Sequence, residues 1–133
     1  MANKKKTNNT TQKPATKVEK VHSTSKVETN AIFCIVNRGF TDLVMVAARN
    51  VGAGGGTVLT ARGTGSKEFE KYYGIAVSPE KEIVIIVVRK DMTDNVLLAI
   101  NKGAGLDSPG QGIAFAIPVS DYLGINLNNK LKN

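Results

Sequence analysis

Residues 41–49 read Thr-Asp-Leu-Val-Met-Val-Ala-Ala-Arg, and residues 93–100 read Thr-Asp-Asn-Val-Leu-Leu-Ala-Ile. Both stretches open Thr-Asp-x-Val, 52 positions apart, and both lead into Gly-Ala-Gly, at Gly52-Ala53-Gly54 and Gly103-Ala104-Gly105. In the first, the apolar positions 43, 44, 46, 47 and 51 recur at helical spacing. Thr41 and Thr93 stand where a side-chain oxygen can cap a helix, and Asp42 and Asp94 suit its positive end. The glycines stop each helix. Each helix lies between two β-favouring runs: 31–36 and 57–61 around the first, 83–88 and 113–119 around the second. The doubled pattern predicts an α+β fold, a ferredoxin-like β-α-β-β-α-β sandwich.

In that arrangement the first and third strands are central and the second and fourth are edges. Pro118 falls in the fourth strand, as an edge allows, because proline cannot donate to the ladder. Ile32-Phe33-Cys34-Ile35-Val36 and Ile83-Val84-Ile85-Ile86-Val87-Val88 are apolar at consecutive rather than alternate positions. One face of such a sheet lies under the helices. The other would be apolar and wet, which marks an interface. A homo-oligomer that covers the second face is expected.

The chain has 133 residues, which suggests one domain, and a net charge of +7. The charge is unevenly placed. Residues 1–28 hold seven lysines against two glutamates, and the remainder holds eleven Lys/Arg against nine Asp/Glu. Residues 1–29 are read as a disordered basic tail, 30–126 as the folded domain and 127–133 as a C-terminal tail. The tail reads either as a solubilising segment or as a tether to an acidic surface. The single cysteine, Cys34, lies in an apolar run, so a disulfide framework is excluded and a buried, reduced thiol is expected. The basic start is followed by no apolar segment of signal-peptide type, and no apolar run approaches bilayer length; a cytoplasmic protein is expected.

Three Gly-rich stretches remain: 52–56, Gly63-Thr64-Gly65 and the run from Gly103 to Gly112. None is a Walker A loop or a dinucleotide fingerprint. The first ends a helix. Gly63-Thr64-Gly65 leaves the second strand and Gly110-Gln111-Gly112 enters the fourth. Glycines at strand ends serve as plain turns, or let backbone N–H groups approach a phosphate.

These residues, in this order, resemble the PII family of signalling proteins from about Ala31 to Leu123. The resemblance rests on the β-α-β repeat, the Gly63-Thr64-Gly65 exit, the following loop, and Gly110-Gln111-Gly112. It implies a homotrimer with inward-facing sheets and an adenine nucleotide (ATP, ADP or AMP) as effector in the clefts between subunits. One wall would carry Thr57, Gly63, Thr64, Gly65, Ser66, Lys67 and Lys81, the other Asp107, Gly110, Gln111 and Gly112. The family's usual cations are replaced at Ser66-Lys67, Ile113, Gly124 and Asn126. The loop from Ser66 to Glu80 is shorter than the family's T-loop. Its Phe69, Tyr72 and Tyr73 are candidates for contact with a regulated partner, a membrane transporter, a nitrogen-metabolism protein or another PII protein. Alternatively, residues 68–72 form a helical turn that folds back on the body.

Other functions have less support in the residues. His22, the only histidine, lies in the basic tail, so histidine triads and most zinc or iron sites are absent from the folded part, and no enzyme and no metal cofactor are expected. Asp42 and Asp94 are assigned to helix starts, and Glu80 and Glu82 are expected to be solvated. The central strands offer only Phe33 for base stacking, so the sheet is not expected to bind nucleic acid. The alternatives are an oligomeric interaction module without a nucleotide, or a nucleic-acid binder acting through the basic tail.

Overall fold

The strand from Thr29 to Asn37, β1, is paired along both of its edges. The computed structural model describes residues 27–65, 67–74, 79–109 and 111–127. The element order is β1, α1 (Thr41–Asn50), β2 (Thr57–Arg62), α2 (Lys67–Tyr73), β3 (Glu80–Arg89), a 3-10 turn (Lys90–Met92), α3 (Thr93–Gly103) and β4 (Gly112–Val119). The four strands form one antiparallel sheet in the order β2-β3-β1-β4. Its centre is β1 and β3, and β4, with Pro118, is an edge. This is the ferredoxin-like α+β arrangement that the repeat predicts.

The side chains alternate strictly along β1 and β3. Ile32, Cys34 and Val36 with Val84, Ile86 and Val88 face the helices and are buried. Val44, Met45 and Ala48 from α1 and Val96 and Ile100 from α3 close over them. At about 1.5–3 kcal/mol for each fully buried large aliphatic side chain, this layer is the main stabilising term. The opposite face carries Ala31, Phe33 and Ile35, Ile83, Ile85 and Val87, and Ile113, Phe115 and Ile117, in register across three strands. Phe33 and Phe115 stack on it with centroids 5.5 Å apart. No element of the chain is layered on this face among the described residues, and Ile113 keeps 57% of its surface exposed.

Both helix starts differ from expectation. Thr41 is the first helical residue, not the cap; Phe40 holds that place without a side-chain bond. The turn from Asn37, with Gly39 at φ 95°, delivers Phe40 already near helical geometry, and its carbonyl accepts from Val44 N–H at 3.2 Å. Thr93 likewise follows Met92. Its hydroxyl accepts from Asn30 Nδ2 at 2.9 Å and faces the Arg89 carbonyl at 3.3 Å, tying the helix to β1. Third-strand pairing begins at Glu80, three residues before the apolar run, because Glu80, Lys81 and Glu82 pair with β2 and β1. The described structure includes residues ahead of Asn30. Thr29 is buried, Lys90 N–H donates to the Glu28 carbonyl at 2.8 Å, and the Tyr122 hydroxyl donates to Val27 at 3.4 Å. The basic segment 1–26 and residues 128–133 lie outside the described residues.

Two predictions follow from the packing. At Gly103 an added Cβ would stand 2.6 Å from Ala47 Cβ, so Gly103→Ala should push α3 off α1 and lower stability by about 1–3 kcal/mol in urea unfolding. Burial raises the Cys34 thiol from 9.0 to about 11. The native protein should therefore fail to react with a disulfide reagent at pH 8 and react fully once unfolded. Stability should also fall as pH rises from about 9 to 11, because only the unfolded thiol loses its proton there.

Candidate functional site

The Asn37 end of the sheet gathers the predicted site residues. Register places Lys81 beside Asn37, Ala61 beside Lys81 and Gly112 beside Val36. β2 leaves the sheet here into Gly63-Thr64-Gly65, and the chain enters β4 here through Gln111 and Gly112. Gly63 N–H donates to the Pro79 carbonyl at 2.7 Å, closing the base of the loop that carries α2. The stem of Lys81 lies along Gly63, so close that an added Cβ would meet it at 3.0 Å. The Lys81 ammonium donates to Asn37 Oδ1.

On the other edge the fit is tighter. Gly112 has φ 144°, and a Cβ there would fall 2.2 Å from the Ile35 carbonyl oxygen. Only glycine allows the chain to turn into β4 against β1 at this point. Gln111 N–H donates to the Ser108 carbonyl at 3.3 Å, while Gln111 Oε1 is buried with no hydrogen-bond partner among the described residues. Asp107 is exposed. A cleft of about 390 Å³ adjoins this loop between α3 and β4, lined by Leu97, Asn101, Leu106, Gly112 and Ile113 among others.

The two loops share a pole but occupy opposite edges. Three strand spacings separate β2 from β4, or about 14 Å, so one chain does not join them into a single pocket. Thr57 lies at the far end of β2, about 20 Å along the strand from Gly63, opposite Ile85. Ser66 and Gly110 lie outside the described residues, as do the side chains of Lys67 and Phe69.

Two β3 carboxylates read as solvated reach the turn between β1 and α1 at the surface. Glu80 forms an ion pair with Arg38 at 3.2 Å, and Glu82 accepts from Gly39 N–H at 3.2 Å. Register alone brings these carboxylates to the turn. Within the loop from Ser66 to Glu80, the helical turn expected as one alternative for 68–72 is present as α2. Tyr72 and Tyr73 meet edge to face at 5.1 Å on it, and Tyr72 is 84% exposed, so its ring is turned to solvent and does not fold back on the body.

The sequence profile of the family "Nitrogen regulatory protein P-II" matches residues 29–128. The chain belongs to the P-II family. A solved structure of Arabidopsis thaliana PII bound to citrate is 30% identical, with 71% of this chain and 79% of that one covered, at a TM-score of 0.55. B. subtilis GlnK in complex with ATP is 20% identical, covering 70% and 83%, at a TM-score of 0.56, and shows the shared fold. No curated protein matches the chain in sequence. P-II proteins are signalling regulators, and this chain is a PII signalling protein by family and fold. No helix among the described residues is long and apolar enough to cross a membrane, and no three metal-ligating side chains cluster among them.

Replacing Gly112 by alanine should cost roughly 1–3 kcal/mol or more, read as a lower urea midpoint, because the Ile35 carbonyl belongs to the β1 backbone and cannot move aside.

Proposed function

We propose that this P-II protein senses an adenine nucleotide bound between copies of itself and passes its presence to a protein partner through α2 and the loop around it. The observation that carries this is the placement of Gly63-Thr64-Gly65 and Gln111-Gly112 at one pole but on opposite sheet edges. A neighbouring copy brings the β2 edge of one chain against the β4 edge of the next. The apolar face with Phe33, Ile85 and Phe115 supplies the driving force for that association. A homotrimer with sheets turned inward, as the family resemblance implies, uses both features. The solved ATP complex of B. subtilis GlnK, which shares the fold, supports the choice of nucleotide.

Thr57, Gly63, Thr64, Gly65, Ser66, Lys67 and Lys81 form the first wall in this reading, and Asp107, Gly110, Gln111 and Gly112 the second. Backbone N–H groups at the glycines meet phosphate oxygens. Gly63 is also the base of the α2 loop, through its bond to Pro79. A ligand at Gly63 therefore favours some loop conformations over others, and the partner reads the shifted population. Tyr72 and Tyr73 present aromatic anchors of the kind that dominate interfaces, and Phe69 is assigned with them by its place in the sequence. The partner is a membrane transporter or a nitrogen-metabolism protein.

Light scattering on the full chain should give three times 14.2 kDa, and Phe115→Asp should give single chains that bind no nucleotide. Calorimetry should show heat with at least one of ATP, ADP and AMP, and Gly110→Leu should abolish it. Absence of heat and of thermal shift with all three at millimolar concentration would defeat the reading.

A further inference from the structure

The end of the sheet away from both glycine loops holds a cavity of its own. β1 begins there at Thr29, about 27 Å along the strand from Asn37. The cavity has a volume of about 450 Å³, and Val27, Glu28, Arg89, Lys90 and Asp91 line it among the described residues. That volume is enough for a small molecule. The backbone around it is fixed from several sides. Thr29 pairs with Arg89, Lys90 N–H donates to the Glu28 carbonyl at 2.8 Å, and the Thr93 hydroxyl donates to the Arg89 carbonyl at 3.3 Å.

The lining holds two cations and two carboxylates, so their charges sum to zero. They are engaged unequally. Arg89 Nε and Nη2 donate to the two oxygens of Asp91, at 3.1 and 2.7 Å. That bidentate contact occupies one edge of the guanidinium and fixes its plane. The other edge, Nη1 with the second Nη2 hydrogen, bonds no described residue. The Arg89 side chain is 29% exposed, the least of these charged groups. Lys90 and Glu28 stand 3.4 Å apart, longer than a normal N–H···O hydrogen bond, and both are largely exposed. An ion pair of that kind contributes little and gives way to another partner. Glu28 is therefore open to a second cation.

We propose that this cavity binds a free α-amino acid with an aliphatic side chain. The carboxylate takes the open edge of Arg89 in a second bidentate contact. The ammonium goes to Glu28, and Val27 meets the aliphatic group. Ligands of a single charge sign fit worse: a dicarboxylate also faces Glu28 and Asp91, and an amine also faces Arg89 and Lys90. A zwitterion brings one charge of each sign and leaves the sum at zero. The site shares no residue with the proposed nucleotide cleft, so the two readings stand or fall separately.

The test is calorimetry and thermal shift on the full chain with L-valine, isovalerate, isobutylamine and succinate. Isovalerate lacks the ammonium of L-valine, and isobutylamine lacks its carboxylate. L-valine should bind at millimolar concentration, and the other three should bind at least about tenfold more weakly. Arg89→Lys keeps the charge but removes the fork, and should weaken L-valine about tenfold or more. Glu28→Gln should abolish the preference for L-valine over isovalerate. The proposal is overturned if L-valine gives neither heat nor a shift, or if isovalerate or succinate binds as tightly. Unchanged affinity in a folded Arg89→Lys protein also overturns it. Should Arg89→Lys fail to fold, Glu28→Gln decides, because that side chain is 76% exposed, and an unchanged preference there overturns the proposal.

Discussion

The antiparallel embrace of β1 by β3 and β4 governs the molecule. One nine-residue strand is bonded on both edges, packed by two helices on one face, and apolar on the other. A strand in that position has no free edge, so its register is set from both sides. Every other placement follows from that register. Asn30 meets Thr93, Val36 meets Gly112, and Asn37 meets Lys81. The close approach of Gly112 to the Ile35 carbonyl expresses the same constraint at the point where β4 begins.

The helices cover one face of the sheet only. What remains is a broad apolar surface, centred on the Phe33–Phe115 stack, of a kind that water-facing sheets do not normally keep. The same geometry leaves the two glycine loops on separate edges at one end. In the proposed assembly, contact between copies completes both features. In that proposal the covering of the apolar face and the joining of the two loops depend on the same contacts.

Charge is organised along the long axis of the sheet. At one pole Arg38 pairs with Glu80, Lys81 donates to Asn37 and Glu82 accepts from the Gly39 N–H. At the other, Arg89 pairs with Asp91 and Lys90 with Glu28. The first pole also carries α2, with Tyr72 exposed on it.

The sequence by itself determined the order of the elements, the identity of the central strands and the apolarity of the second face. These depend on local periodicity and on the repeat between residues 41–54 and 93–105, which a linear reading captures. It also marked the glycines at both strand ends, and their resemblance to the P-II pattern. It misread the helix starts, because the Thr93 hydroxyl is drawn to Asn30, 63 residues away, and Phe40 is set by the turn before it. It read Glu80 and Glu82 as solvated, which they are at the surface, but did not show that register carries both to the turn at Arg38 and Gly39. Only the tertiary structure decided that the two glycine loops share a pole yet lie about 14 Å apart. Those properties belong to strand order and register, which join residues distant in the chain, and no local pattern encodes them.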